Sequence, residues 1–118
     1  MAKLTEEAKK IIAEASPALI ATSSMNGKSH VSIKGSLHVL DNERIIFVDI
    51  DSPRTMANLR DNPQLSALVL EPTTGKRCRI WGKAEILTKG EIFDFVMAET
   101  GKKAKRLVLV NVGEVEVF

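Results

Sequence analysis

The spacing of apolar residues alternates between helical and extended along the chain. Near the N-terminus, apolar residues recur every three or four positions, which predicts an amphipathic helix. Thr5 is suited to cap this helix, Glu6 and Glu7 favour its first turn, and Ser16-Pro17 is expected to end it. The predicted apolar face consists of Leu4, Ala8, Ile11, Ile12 and Ala15.

From residue 18 onward, short apolar runs typical of strands are separated by turn residues such as Asn26-Gly27 and Asp41-Asn42. Gly82 interrupts the longest run, which indicates a bulge or a close approach of two backbones. Short strands with tight turns predict an antiparallel sheet or barrel. The predicted strands are 18–22, 30–33, 37–40, 44–50, 65–70, 79–87, 107–112 and 114–118.

Two further helices interrupt these strands. Ser52 is a suitable N-cap for the second, Pro53 is tolerated in its first turn, and it is expected to stop before Asn62-Pro63. Thr88 and Glu91 have the spacing of a capping box, so the third helix is expected to begin there and to end at Gly101. Residues 1–118 therefore predict a single mainly β domain with flanking helices.

Composition narrows the class of protein. With 44% apolar residues, a net charge of +2 and no apolar run long enough to span a bilayer, the chain predicts a globular domain outside membranes. Neither half is strongly basic, which argues against nucleic-acid binding. The one cysteine, Cys78, excludes an internal disulfide and a multi-cysteine metal site and is consistent with the cytoplasm. Only five of the 118 residues are aromatic, so one chain is poorly equipped to enclose a ligand in an aromatic pocket.

The strand-to-helix junction at residues 49–55 is the strongest chemical signal. A helix N-terminus offers unpaired N–H groups and the positive end of a dipole, and Arg54 and Thr55 add a guanidinium and a hydroxyl. These features describe a phosphate site, although a capped surface helix with a solvated arginine is the commoner structure with this pattern.

Other candidates carry weaker signals. The basic segments 76–79 and 102–106 lack interleaved aromatic residues, which favours solvated surfaces over a nucleic-acid interface. His30 and His38 have no ligand-spaced cysteine or carboxylate, so no metal site is predicted. We expect Cys78 to be a small core residue, whereas the spacing of Trp81 does not distinguish ligand stacking from packing.

Four segments taken in order resemble the FMN-binding split-barrel family, the pyridoxamine 5'-phosphate oxidase-like proteins, and especially its small FMN-binding members. They are residues 29–34, 44–50, 52–59 with Asn62-Pro63, and 79–85. The resemblance covers about residues 8–118. It implies a six-stranded antiparallel Greek-key split barrel with flanking helices, forming a homodimer with FMN at the subunit interface.

The resemblance also implies roles for particular residues. Arg54 and Thr55 match the pair that grips the FMN phosphate, and Asn58 matches an asparagine one helical turn further on. The segment Ser32, Ile33 and Lys34 matches the strand beside the ribityl chain and phosphate. The other matches are Val48 and Asp49, on the strand along the isoalloxazine, and Arg77, where the oxidase has glutamine.

The departures qualify the expected activity. The C-terminal substrate-binding arginine motif of the oxidase is absent and Arg77 stands where the oxidase has glutamine, which argues against authentic pyridoxamine phosphate oxidation. Thr55 replaces a second lysine, which implies a weaker grip on the phosphate or one that Lys34 completes. The resemblance therefore implies a redox flavoprotein, an electron carrier or a small flavin reductase. The alternatives are a deazaflavin F420-dependent reductase and a non-catalytic module that binds flavin or haem.

Overall fold

The fold is described from a computed structural model that covers residues 3–15, 17–101 and 104–118. Ser16 and Lys102-Lys103, which belong to the predicted helix end and to the second basic segment, lie outside the described residues. The elements in chain order are α1 (Glu6–Glu14), β1 (Ala18–Ser23), β2 (Ser29–Lys34), β3 (His38–Val39), β4 (Arg44–Asp49), α2 (Pro53–Asp61), β5 (Gln64–Leu70), β6 (Arg77–Leu87), α3 (Glu91–Thr100) and β7 (Arg106–Val117).

The strands form one antiparallel sheet in the order β2-β1-β5-β6-β7-β4-β3. It curls into a split barrel, so the predicted barrel with flanking helices is confirmed. Counting the two-residue β3, the sheet has seven strands. None of the helices in the described part of the chain is long and apolar enough to cross a membrane.

Helices bury both faces of the β4 end of the sheet. The main core lies inside the curl, where Ile45 and Phe47 of β4 meet the apolar faces of α1 and α2. A second, smaller core lies on the opposite face, where Ile46 and Val48 pack with Val96 of α3. Because neighbouring residues of a strand point to opposite faces, burial on both sides explains the uninterrupted apolar run of β4.

Most of the helices and strands predicted from local sequence patterns are present, but several of their ends were predicted wrongly. The predicted capping box at Thr88 is wrong, because α3 begins at Glu91 after Gly90, whose φ of 105° suits glycine, and has no side-chain cap. The two predicted C-terminal strands form the single strand β7, and β6 begins at Arg77. Ser52 is the N-cap residue of α2, but its side chain makes no capping hydrogen bond.

Gly82 lies where β6 and β7 approach most closely, as its interruption of the apolar run predicted. The register between the two strands shifts between Trp81 and Gly82. A Cβ atom at Gly82 would lie 2.6 Å from the carbonyl oxygen of Asn111 and 2.7 Å from Cγ1 of Val110. The first contact involves backbone, so a larger residue requires the strands to separate.

Gly82→Ala is therefore expected to destabilise the protein by about 1–3 kcal/mol through overpacking. Urea unfolding followed by circular dichroism measures this change. Gly35→Ala is the matched control, since a Cβ atom at Gly35 meets nothing within 4 Å. Equal stability of the two variants would contradict the close approach.

Candidate functional site

The N-terminus of α2 leaves backbone donors without acceptors. Its first helical hydrogen bond runs from the N–H of Met56 to the carbonyl of Ser52, and Pro53 has no N–H. The N–H groups of Arg54 and Thr55 precede that bond and have no acceptor among the described residues. With no acidic residue in the first turn, these donors and the helix dipole favour an anion.

Strand β2 brings two of the predicted residues to this helix end. The ammonium group of Lys34 donates a hydrogen bond to Oγ of Ser52, the N-cap residue of α2, whose side chain does not cap the helix. Oγ1 of Thr55 donates to Oγ of Ser32 at 3.3 Å, and the Thr55 side chain is buried. The hydroxyls therefore link β2 to α2, while the lysine places a positive charge at the junction.

A recess of about 270 Å³ lies beside the junction and collects further basic groups. Arg54 lines it together with Lys28 and His30, and Asn58 forms part of the wall. The amide nitrogen of Asn58 donates to Oγ1 of Thr22 at 3.1 Å, which fixes this side chain against β1. The recess and the uncapped N–H groups together form a basic site on the exposed start of α2.

Sequence reasoning missed Lys28 and His30. His30 was interpreted as a surface or structural residue because it has no metal-ligand partner nearby in sequence. The period of two in β2 was the available signal, since it places His30 on the same face as Ser32 and Lys34. Lys28 lies in the preceding turn, and only the folded chain brings it to Arg54.

The end of β4 contributes a buried charge. Asp49 is fully buried, and its Oδ2 accepts a hydrogen bond from a guanidinium nitrogen of Arg106 at 3.1 Å. Its Oδ1 has no hydrogen-bond partner in the described residues. Val48 turns its side chain into the second core, and its N–H donates to Oγ of Ser36 at 3.1 Å. Asp49 thus offers a buried acceptor oxygen close in sequence to the anion site.

Two predicted residues lie apart from this group. The side chain of Ile33 is 67% exposed and points to the opposite face of β2 from Lys34. Arg77 begins β6, which β1 and β5 separate from β2, so roughly 14 Å of sheet lies between Arg77 and Lys34. The guanidinium of Arg77 stacks on the ring of Phe118 at 4.5 Å. One chain alone does not bring Arg77 to the junction.

The structure also locates the cysteine and tests for metal-binding clusters among the described residues. Cys78 is fully buried, and burial raises the pKa of its thiol to about 11, so the thiol stays protonated near neutral pH. The sequence interpretation of Cys78 as a core residue is confirmed. No cluster of three or more histidine, cysteine or acidic residues suited to a metal ion occurs in residues 3–15, 17–101 and 104–118.

The curled antiparallel sheet with flanking helices is the fold of the split-barrel proteins. The family model described as "Pyridoxamine 5'-phosphate oxidase" matches residues 4–117. The chain therefore belongs to this family, as its sequence resemblance predicted. No curated protein matches the chain significantly.

Similar solved structures have this fold and differ in cofactor. An FMN-binding protein of Syntrophomonas wolfei subsp. wolfei has a TM-score of 0.82 and 18% identity, over 95% of this chain and 84% of that chain. An F420 reductase has a TM-score of 0.75 and 15% identity, over 96% and 98% of the two chains. The heme storage protein HutZ of Vibrio cholerae has a TM-score of 0.76 and 21% identity, over 98% and 94%. At these identities the similarity establishes the fold alone.

Proposed function

We propose that this protein binds FMN non-covalently at the junction of β2 and α2 and takes part in redox chemistry. The observation that carries the proposal is that the start of α2 combines uncapped N–H groups of Arg54 and Thr55 with two basic side chains, Arg54 in its first turn and Lys34 bonded to Ser52. A phosphate dianion requires this combination of donors and positive charge. The similarity to an FMN-binding protein supports FMN as the molecule that carries the phosphate.

The residues around the junction suit the rest of the cofactor. Asn58 and Ser32 offer polar groups near the phosphate position, while the backbone of Val48 and Asp49 is proposed to follow the isoalloxazine ring. The unpartnered Oδ1 of Asp49 is a buried acceptor that an N–H donor would satisfy. A bound flavin supplies the electron transfer, and the chain supplies its position and electrostatic surroundings.

The site is proposed to be shared between two copies of the chain. Ile33 and Arg77 do not reach the junction within one chain, but both lie on the sheet that a second copy would cover. The outer sheet face is defined as Leu19, Ala21, Val31, Ile33, Leu68 and Trp81, and cross-strand pairing aligns these residues with Ser66 and Arg79 among them. Leu19, Val31 and Ile33 are 41%, 61% and 67% exposed. An apolar surface of this kind marks an interface.

The basic segments give little support to F420 as the cofactor. A longer anionic tail such as that of F420 would need free basic groups beyond the phosphate site. In the first basic segment, however, Lys76 pairs with Glu7 at 3.2 Å and Arg79 with Glu116 at 2.8 Å. Arg106, in the second, pairs with Asp49. The other alternative is a module that binds haem or flavin without catalysing a reaction.

We also propose a cytoplasmic location, because the chain has a single cysteine and cannot form an internal disulfide.

Titration of the purified protein with FMN, F420 and haemin tests the choice of cofactor. We expect FMN to bind with a shift of its visible spectrum and quenching of its fluorescence, and the other two to bind more weakly. NADH or NADPH oxidation with an added acceptor then separates a reductase from an electron carrier or a binding module. A protein that leaves the FMN spectrum unchanged would refute the proposal.

A further inference from the structure

A second cavity lies on the other face of β4, between that strand and α3. Its volume is about 500 Å³, within the range of small-molecule sites. None of its lining residues belongs to the set proposed for FMN. Apolar walls come from the strand side and from the helix, namely Val39, Leu40, Ile46, Phe95 and Val96.

Two residues one helical turn apart on α3 contribute an aromatic ring and a carboxylate to this cavity. Phe95 and Glu99 have i, i+4 spacing and therefore lie on one side of the helix. The Phe95 side chain is 58% exposed, although its neighbour Val96 is buried in the second core. The carboxylate of Glu99 makes no ion pair with any residue that the structure describes.

The imidazole of His38, on the strand side of the cavity, offers a hydrogen-bond acceptor. Nδ1 of His38 lies 2.7 Å from the carbonyl oxygen of Ser36, and a carbonyl oxygen only accepts. Nδ1 therefore carries the proton, and in the neutral ring Nε2 bears the free lone pair. Nε2 has no hydrogen-bond partner in the described part of the chain.

The polar residues of the cavity therefore suit a ligand that donates hydrogen bonds and carries a positive charge. Glu99 offers an anion and the neutral His38 ring an acceptor, whereas no lysine or arginine among the described residues lines the cavity. An aromatic ring beside a carboxylate suits an ammonium group attached to an apolar body, through ion pairing and cation–π attraction. Phosphates and carboxylates would meet the Glu99 charge instead.

We propose that the cavity between β4 and α3 is a binding site for small organic cations, amines with an aromatic or aliphatic body. The charge preference is opposite to that of the basic recess at Arg54. The cavity adjoins β4 through Ile46, and Ser36, which also lines it, holds the N–H of Val48. An amine bound here would therefore lie against the same strand as the proposed flavin, but its binding does not require the flavin.

The test compares 1-naphthylmethylammonium with 1-naphthoate and 1-naphthylmethanol on the full chain without FMN. Binding is followed by isothermal titration and by ¹⁵N–¹H spectra, in which the amides of β3, β4 and α3 should shift. We expect the ammonium compound to bind at least about tenfold more tightly than the carboxylate, as expected for one charge-assisted contact. Equal binding of carboxylate and ammonium, or no binding of the ammonium compound, would overturn the proposal.

Single substitutions test whether Glu99 supplies the negative charge that attracts the ammonium group. Glu99→Gln should weaken ammonium binding about tenfold while leaving the alcohol unaffected, and Phe95→Leu should weaken both. Glu91→Gln is the control, because Glu91 is an exposed carboxylate at the start of the same helix and does not line the cavity. Unchanged ammonium affinity in Glu99→Gln would also overturn the assignment. FMN affinity, measured in parallel, should be unaffected by Glu99→Gln, so failure of one site is distinguishable from failure of the other.

Discussion

Arg54→Ala is expected to weaken FMN binding by about ten- to a hundredfold. Arg54 is exposed in the first turn of α2, where backbone N–H groups are uncapped. Removing one charge-assisted contact to a phosphate costs about 1.5–3 kcal/mol, which gives the expected range. The dissociation constant is measured by quenching of FMN fluorescence.

Arg60→Ala provides the matched control for this variant. Arg60 is an exposed arginine in the last turn of the same helix, at the negative end of the helix dipole, where no phosphate is proposed. The control should retain wild-type affinity and stability. If both variants bind FMN equally, the phosphate is not held at the start of α2. Riboflavin, which lacks the phosphate, should bind both variants alike.

Ile33→Asp is expected to convert the proposed dimer into a monomer. Ile33 lies opposite Leu19 in the β1–β2 ladder, within the outer sheet face proposed to meet a second copy. Burying an unpaired carboxylate there costs several kcal/mol, so the dimer dissociation constant should rise by a factor of about a hundred or more. Sedimentation velocity over a range of protein concentrations measures this change.

Met25→Asp is the control for the interface. Met25 is 72% exposed in the turn between β1 and β2 and does not belong to the outer sheet face. The control should keep the oligomeric state of the wild-type protein. FMN affinity should fall in Ile33→Asp if two chains complete each site. A wild-type monomer that binds FMN tightly would contradict the shared site and the proposed role of Arg77.

Short-range patterns predicted the elements well where one interaction dominates. The apolar spacing of α1 was correct because a single face packs into the core, and Thr5 caps it as predicted, accepting from the N–H of Ala8 at 3.1 Å. At α3 the pattern was misleading, since Thr88 and Glu91 have capping-box spacing but the chain turns through Gly90 before the helix begins. The cap depends on backbone dihedrals that sequence spacing does not specify.

The candidate site could not be predicted from local sequence patterns alone. The resemblance placed Arg54 and Lys34 near the phosphate, and helix capping chemistry explained why the start of α2 suits an anion. The hydrogen bond from Lys34 to Ser52 depends on the approach of β2 to α2. The separation of Arg77 from Lys34 depends on strand order, which is a property of the whole sheet.

The sequence by itself determined the mainly β architecture and the basic strand-to-helix junction, because periodicity, turn residues and helix capping act over a few positions. The family was predicted from the resemblance of four ordered segments. Only the tertiary structure brought Lys28 and His30 to Arg54, joined Asp49 to Arg106 and opened the cavity between β4 and α3. These contacts join residues far apart in the chain. Their geometry follows from strand order, register and helix packing, which no local pattern encodes.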